Sequence, residues 1–462
     1  MYRELGPERG LTYRALVLLA AVLSALGAAL LALNAPQALP ELKAGDALAR
    51  LAPRPSRPDV VIVALDASSV ARYGPVKDWP RSALAAGLRR IEAGRPAAVI
   101  FDLPLTQRTR TGDAALWRTM ANKRNVLLGM AYDADRPPRY TPDDIRSLVF
   151  LEKFALAGSL TLGADLPEFQ YPRFEPPVSD FTGSARGVGV FARETDPDGV
   201  LRRARLVFRS VVQYPAATAP LRGRFPQSRL DDGKPVALAG LPLMAALSVF
   251  DVDKDRVAVS TGDSVRVLGS LSPPVRIPVD GQGRMLIRYG LPGGPPTVSF
   301  RDVADGKAAP GAFDGKVVLL GTTAPDDPAA GLTLTPVGRV PRVEVTASAL
   351  STVLDRSYVQ VVADSRYRLL GVLILLGAAT GLLLMLVSGA RAALVTIGLL
   401  LAYLFVCWGY FALGHLLLPI LPGVLAILVP FLVGLLLYLG PLRPRPLAPP
   451  PAYVPPPPGA VR

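Results

Sequence analysis

Residues 59–102 read DVVIVALDASSVARYGPVKDWPRSALAAGLRRIEAGRPAAVIFD. The stretch opens with a β-branched apolar run at 59–65, which predicts a buried strand. A helix is predicted at 82–93, because a glycine and a proline that stop helices follow it. A second apolar run, at 97–101, predicts another strand. A strand, a helix and a strand joined by short links indicate a parallel pair in an α/β fold.

The apolar pattern continues beyond these residues. Asp198-Gly199, a strong turn signal, lies between the runs 187–191 and 204–208, so this pair is predicted to form a hairpin. Further strands are predicted at 126–130, 285–289 and 316–320, and further helices at 114–122, 242–250 and 343–354. The predicted fold class is therefore α/β, with a mixed, largely parallel sheet and flanking helices.

Four long uncharged runs lie outside this α/β region, at residues 15–33, 369–387, 392–411 and 416–439. About 20 helical residues cross the hydrocarbon core of a bilayer, so each run predicts a transmembrane α-helix. A cleaved signal peptide is the alternative for the first run, although the apolar part of such peptides is usually only about 7–15 residues long.

Lysine and arginine in short flanking segments predict the orientation of membrane helices, because positive residues collect on the cytoplasmic side. Three arginines precede the first run, Arg391 lies between the second and the third, and two closely follow the fourth. Residues 1–14 and 440–462 are therefore predicted to be cytoplasmic, and residues 34–364 to form an extracytoplasmic domain. We expect a multi-pass protein of the cell membrane, in contact with the lipid bilayer.

The composition argues against several function classes. The net charge is +14, but the arginines are scattered and no nucleic-acid-binding motif accompanies them, so no nucleic acid partner is expected. Cys407 is the only cysteine, which leaves no intrachain disulfide and no cysteine-based metal cluster. His415 is the only histidine and lies beside a membrane run, where it completes no nucleophile–base arrangement. We therefore expect no enzyme activity, no catalytic residue, no metal site and no cofactor.

Polar side chains follow two of the predicted parallel strands. Asp66 and Asp102 each come directly after a strand, and ligands of open α/β sheets bind at the carboxyl ends of the strands. Both acids are candidate pocket residues, and the alternative is that they cap helices or turns. Trp79 and Arg81 could place an aromatic face and a guanidinium beside the pocket, which suits an anionic or aromatic ligand. A packed tryptophan with a surface arginine is the alternative for this pair.

Two loops carry weaker signals. Thr322 and Thr323 follow a predicted strand and are candidate ligand-binding residues, but the loop lacks the lysine of a phosphate-binding loop. A tight turn near the pocket is the alternative. The spacing of Asp196 and Asp198 loosely resembles that of the ligands in a metal-binding loop. Calcium loops need more acids at set spacing, so a hairpin turn is the preferred interpretation.

Six blocks follow one another along the chain between the first and the second hydrophobic run. They read VVIVALDASSVARYG, WPRSALAAGLRRIEAGRPAAVIFDLPL, GVGVFARETDPDGVLRRARLVF, IPVDGQGRMLIRYGLP, KVVLLGTTAPDD and PRVEVTASALSTVL. In this order the chain resembles the CHASE2 domain, an extracytoplasmic sensor module of bacterial receptors, over about residues 51–439. The family layout is one N-terminal helix, the sensor domain and three consecutive membrane helices. The last block departs from the family pattern, since Arg342 and Thr346 stand where the family usually has Gly and His.

The resemblance implies a membrane-anchored extracytoplasmic sensor for an unknown small molecule or envelope protein. Family members commonly continue into a cytoplasmic output domain, whereas about twenty residues follow the last predicted helix. The signal is therefore expected to pass through the helices to a separate cytoplasmic or membrane partner. A homodimer formed through the helices is a further expectation. The alternative function is a non-catalytic scaffold for assembling an envelope complex.

The segment 440–462 is rich in proline and cannot form a packed core. It is predicted to be a disordered or polyproline II linker at the cytoplasmic end of the chain. The alternative is that this tail is a ligand for an aromatic groove of a partner protein.

Overall fold

The computed structural model describes residues 7–34, 39–109, 111–135, 146, 151–170, 173–211, 235–269, 274–290, 294–361, 366–387 and 390–439. The predicted proline-rich tail, 440–462, lies outside these residues. The chain divides into two units. The α/β unit contains Gly45–Asp364 and Phe411–Leu417, and the helical unit contains Met1–Ala44, Ser365–Tyr410 and Leu418–Arg462.

Helices and strands alternate through most of the α/β unit. The α-helices of the described residues are α1 Pro7–Asn34, α2 Leu39–Leu51, α3 Ala67–Tyr73, α4 Arg81–Ala93, α5 Asp113–Lys123, α6 Ser179–Ser184, α7 Leu241–Val249, α8 Phe300–Ala304, α9 Arg342–Leu354, α10 Arg366–Leu386, α11 Ala390–Ala412 and α12 Ile420–Leu439.

Most strands are short, and the longest belong to the central sheet. The strands are β1 Val60–Leu65, β2 Ala98–Asp102, β3 Val126–Tyr132, β4 Ala155–Leu156, β5 Leu160–Thr161, β6 Glu168–Gln170, β7 Phe174–Glu175, β8 Gly187–Val190, β9 Arg203–Arg205, β10 Val207–Val211, β11 Pro235–Ala239, β12 Val257–Ser260, β13 Ser264–Val267, β14 Val275–Pro278, β15 Arg284–Leu286, β16 Thr297–Ser299, β17 Val317–Thr322, β18 Thr333–Thr335, β19 Gly338–Val340, β20 Gln360–Val361 and β21 Leu416–Leu417.

The central sheet follows from the predicted strand–helix–strand pattern. Its strands lie in the order β16-β1-β17-β2-β3-β8, and every neighbouring pair in this row is parallel. β7 pairs antiparallel with the end of β3. All residues of β1, β2 and β17 are buried, as expected for strands covered by helices on both faces. The predicted α/β fold, with a mixed, largely parallel sheet and flanking helices, is confirmed.

Two groups of helices cover this sheet. α7 and α9 pack against each other and against strands of the sheet, and α4 packs against α5 and α8. The approach of α4 to α8 is close, because a side chain at Gly87 would overlap the Phe300 ring. A glycine at this helix position therefore lets the two helices share the buried aromatic core.

The hairpin predicted across Asp198-Gly199 is wrong. The two residues do form a turn, in which Gly199 has φ +78° and its N–H donates to the Asp196 carbonyl oxygen. The strands on either side do not pair with each other, since β8 joins β3, β9 joins β15 and β10 joins β11. The local signal identifies the turn, but burial against distant segments decides which strands pair.

The four hydrophobic runs form the helices α1, α10, α11 and α12, each with a segment long and apolar enough to cross a membrane. The four predicted helices are confirmed as apolar helices that could span a membrane, but the fourth begins at Ile420, since Leu416–Leu417 forms strand β21. Small residues bring α1 and α10 together: a side-chain carbon at Gly377 would lie 2.7 Å from Ala25 Cβ, and one at Gly381 would lie 2.7 Å from Ala21 Cβ. Pairs of small residues four apart are typical of close helix packing in membranes.

Candidate functional site

The carboxyl edge of the central sheet holds several of the predicted site residues. In the strand register, Leu65 of β1 pairs with Thr322 of β17, and Gly321 pairs with Asp102 of β2. Asp66 follows Leu65 directly. The structure therefore places these acids and Thr322 on three adjacent strand ends, where ligands of parallel sheets bind.

Asp66 caps the first turn of α3. Its carboxylate accepts hydrogen bonds from the Ser69 N–H at 2.9 Å, the Ser69 hydroxyl at 2.7 Å and the Ser68 hydroxyl at 2.9 Å. Partial burial alone would raise the pKa of Asp66, but these hydrogen bonds outweigh it and the pKa lies below its ordinary value. This is the capping role that the sequence left as the alternative.

Trp79 and Arg81 are both buried. Trp79 is 1% exposed, its indole N–H donates to the Gly74 carbonyl oxygen at 2.7 Å, and its ring packs 5.1 Å from that of Phe300. Arg81 lies 3.8 Å from the Asp113 carboxylate, and burial lowers the pKa of its guanidinium. The tryptophan ring therefore belongs to the core, and Arg81 has a carboxylate of the chain as its neighbour.

Asp102 is held by two side chains of α9. Arg342 Nε lies 2.5 Å from Asp102 Oδ1, and the Thr346 hydroxyl donates to Oδ2 at 2.5 Å. The Arg342 guanidinium also lies 4.2 Å from the centre of the Phe191 ring. The Asp102 and Arg342 side chains are 0% and 4% exposed. The two residues that depart from the pattern of the resembled family are therefore the two side chains that bind Asp102.

Thr322 and Thr323 differ in their surroundings. Thr322 is 1% exposed, and its hydroxyl has no hydrogen-bond partner among the described residues. The Thr323 N–H donates to the Leu65 carbonyl oxygen at 3.2 Å, as in a tight turn after a strand. Ligand binding by the six predicted residues stays a prediction, while most of their polar groups have partners within the chain.

A cavity of about 230 Å³ lies elsewhere in the α/β unit, and it was not predicted from the sequence. Its lining includes Arg54, Tyr289, Arg339, Glu344 and Ser348. Glu344 is half-buried on the first turn of α9, and no hydrogen-bond donor or cation of the described chain binds its carboxylate. Burial raises the pKa of Glu344. Within the part of the chain that the structure describes, the cavity thus contains a carboxylate without a partner.

Arg202 anchors the helix that follows the first hydrophobic run. Its guanidinium binds both carboxylate oxygens of Asp46 on α2, at 2.7 and 2.8 Å. It also binds Asp196 at 2.9 Å and Asp198 at 2.8 and 2.7 Å. Burial alone would lower the pKa of Arg202, but the three carboxylates raise it above its ordinary value. The two acids that loosely resembled metal ligands therefore bind an arginine.

The other end of α2 caps one of the four apolar helices. Within the helical unit, Glu41 accepts hydrogen bonds from the backbone N–H groups of Ile420 at 2.8 Å and Leu421 at 2.6 Å. These are the first two residues of α12, whose N–H groups have no partner inside the helix. Glu41 and Asp46 are five residues apart, so one short helix supplies both contacts.

The segment Phe411–Leu417, which connects α11 to α12, belongs to the α/β unit. β21 in this segment pairs with β20, and the Gln360 N–H donates to the His415 carbonyl oxygen at 2.9 Å. Arg288 Nη1 lies 3.2 Å from His415 Nδ1, and its guanidinium lies 5.4 Å from the centre of the Phe411 ring. Burial and the charge of Arg288 lower the pKa of His415, so the ring is neutral near pH 7 and Nδ1 accepts the hydrogen bond.

Comparison with known proteins agrees with this architecture. The family model of the CHASE2 domain matches residues 17–388, from within the first apolar helix to the end of the second. Comparison with curated proteins and with solved structures gave no significant match. CHASE2 is a sensor domain, and the four apolar helices could anchor it in a membrane. The chain therefore belongs to the CHASE2 domain family.

Proposed function

We propose that the chain is an extracytoplasmic sensor that receives a signal in its α/β unit and passes it through its membrane helices to a separate partner protein. The observation that carries the proposal is the pair of contacts on α2. Asp46 binds Arg202 of the α/β unit, and Glu41 caps α12 of the helical unit. A signal that moves α2 would therefore act on a membrane helix.

The proposed orientation has support from two sources. The segment Phe411–Leu417 and Gly45–Asp364 belong to one unit, so both lie on the same side of the membrane. Arg366 and Arg368 lie at the α/β-unit end of α10, but six arginines flank the opposite ends of the helices (Arg3, Arg9, Arg14, Arg391, Arg443 and Arg445), and this excess favours the cytoplasm for those ends and for both termini. The proposal is a multi-pass protein of the cell membrane with the sensor domain outside. It assigns binding, and no reaction, to that domain.

Transmission needs two arrangements of the same helices. A signal can shift their populations only if it binds one arrangement more tightly than the other. Charged and hydrogen-bonded contacts suit this purpose, because each is either made or lost when the helix moves. The Asp46 anchor and the Glu41 cap are two such contacts on one helix.

Loss of the contact between Asp46 and Arg202 is expected to weaken the hydrogen bonds by which Glu41 caps α12. In the Asp46→Asn variant, Arg202 loses a charged partner, so α2 is held less firmly and Glu41 releases the α12 amides more often. Hydrogen exchange of the full chain in nanodiscs measures this in the peptides that contain Ile420 and Leu421. We expect exchange there to rise about tenfold, equivalent to about 1.4 kcal/mol of lost protection.

The matched control is Asp314→Asn, which removes one carboxylate from an exposed ion pair with Arg95. This control should leave exchange at the start of α12 unchanged. If the chain is a scaffold that transmits no signal, Asp46→Asn should raise hydrogen exchange only near Asp46. Unchanged exchange at Ile420 and Leu421 in Asp46→Asn, with raised exchange in α2, would therefore count against transmission through this helix.

A further inference from the structure

The cavity beside Glu344 combines two charged side chains that have no partner among the described residues. The Glu344 carboxylate and the Arg339 guanidinium both line it, and neither makes an ion pair or hydrogen bond through its side chain within the described residues. Arg339 is exposed, whereas Glu344 is half-buried. A partly buried charge without a partner costs free energy, which a bound counter-charge recovers. The lining therefore offers one site for a cation and one for an anion.

From this lining we infer that the cavity binds a small zwitterion of amino-acid size, with its ammonium on Glu344 and its carboxylate on Arg339. The volume of about 230 Å³ lies below the range of about 300–1,000 Å³ typical of drug-sized ligands. Ser348 adds a hydroxyl, and Tyr289 adds an aromatic surface. The inference rests on the proposed sensor function, for which it names the ligand class.

The cavity wall is continuous with the contact that holds the α11–α12 connection. Tyr289 and Gly290 line the cavity, and the preceding residue, Arg288, binds His415. Arg54, which also lines the cavity, directs its Nε to the Arg288 carbonyl oxygen at 3.4 Å. A ligand that moves this wall therefore acts on a residue in direct contact with the connection between two membrane helices.

The same wall is close to the anchor of α2. The Tyr289 hydroxyl donates to the Leu201 carbonyl oxygen at 2.8 Å, and Leu201 is followed directly by Arg202. Arg202 holds Asp46 through two hydrogen bonds. One cavity thus lies beside both elements that lead to the membrane helices, as a sensory pocket requires.

Thermal unfolding of the full chain in detergent micelles tests the inference. The probes are the common amino acids, each at millimolar concentration, with methylamine and acetate as probes of one charge only. At least one amino acid is expected to raise Tm by about 2–4 °C, because a ligand that binds only the folded state stabilises it. Methylamine and acetate should leave Tm unchanged.

Two variants and a control assign the effect to the cavity. Glu344→Gln and Arg339→Gln should abolish the shift, while Glu168→Gln, which changes an exposed carboxylate, should keep it. Glu344→Gln should itself fold at least as stably as the original chain, because it removes an unpaired charge. The inference is overturned if no amino acid shifts Tm, if methylamine or acetate alone does, or if Glu344→Gln keeps the full shift. The exchange experiment on Asp46→Asn uses no ligand, so a failure here leaves the proposed function to be judged separately.

Discussion

Arg202→Met is expected to lower the free energy of unfolding of the α/β unit by about 3–5 kcal/mol. Methionine keeps most of the side-chain volume but removes the guanidinium. Asp46, Asp196 and Asp198 then lie close together without a counter-charge, although their side chains are only 10%, 4% and 13% exposed. Breaking a buried ion pair from one side is costly because the remaining charge stays desolvated, and here three charges remain.

Urea unfolding followed through tryptophan fluorescence, to which Trp79 in the core of the α/β unit contributes, measures this loss. The matched control is Arg276→Met, which breaks an ion pair with Asp263 whose side chains are 62% and 49% exposed. Such exposed pairs contribute about 0–1 kcal/mol. Equal losses in Arg202→Met and Arg276→Met would show that the anchor contributes no more than a surface pair.

The difference in unfolding free energy between the original chain and Arg202→Met should change with pH in a definite direction. Hydrogen bonds from Arg202 hold the pKa of Asp198 below its ordinary value. A carboxyl whose pKa is lower in the folded state stabilises the fold above its unfolded pKa of about 3.9, and this contribution disappears as the pH falls through the folded pKa. The stability gap between the original chain and Arg202→Met should therefore be largest near neutral pH and shrink below about pH 4.

Asp102→Ala is expected to lower the free energy of unfolding by a similar amount, about 3–5 kcal/mol. It leaves the Arg342 guanidinium, only 4% exposed, with neither its carboxylate partner nor contact with bulk water. Thr346 also loses the acceptor of its hydroxyl. Urea unfolding gives the loss, with Asp314→Ala as the control in an exposed pair.

The double variant Asp102→Leu with Arg342→Met separates the charge effect from other causes. Replacing both members of a buried ion pair by apolar residues of similar size is often neutral or stabilising. The double variant should therefore recover most of the stability that Asp102→Ala loses. A double variant as unstable as the single one would contradict the view that the unpaired guanidinium causes the loss.

The central sheet could be predicted because its signals are local. In residues 59–102, each strand is a continuous apolar run and the helix between them has clear ends. β12, β13 and β14 were not predicted, since their alternation is short and each strand depends on antiparallel neighbours for its burial. β9 and β15 lie about eighty residues apart, so their pairing left no local trace.

In the candidate site, too, features that depend on local sequence could be predicted, and contacts between distant residues could not. The positions of Asp66 and Asp102 at strand ends could be predicted, because they depend only on where a strand stops. The partner of Asp102 could not be predicted, because Arg342 lies 240 residues away in the sequence. The same holds for the contact between Arg202 and Asp46, which lie 156 residues apart. One signal was present: Arg342 and Thr346 both depart from the family pattern, and two departures on one helix face indicate a shared contact.

Labelling of single cysteines in intact spheroplasts tests the central claim, that the α/β unit lies outside the cytoplasm, most directly. Cys407→Ser provides the background, and exposed positions carry the probes: Lys77→Cys in the α/β unit, Leu413→Cys in the α11–α12 connection and Arg391→Cys at the start of α11. With a membrane-impermeant maleimide, positions 77 and 413 should be labelled in intact cells, and position 391 only after permeabilisation. Labelling of position 391 in intact cells, with positions 77 and 413 protected, would contradict the account.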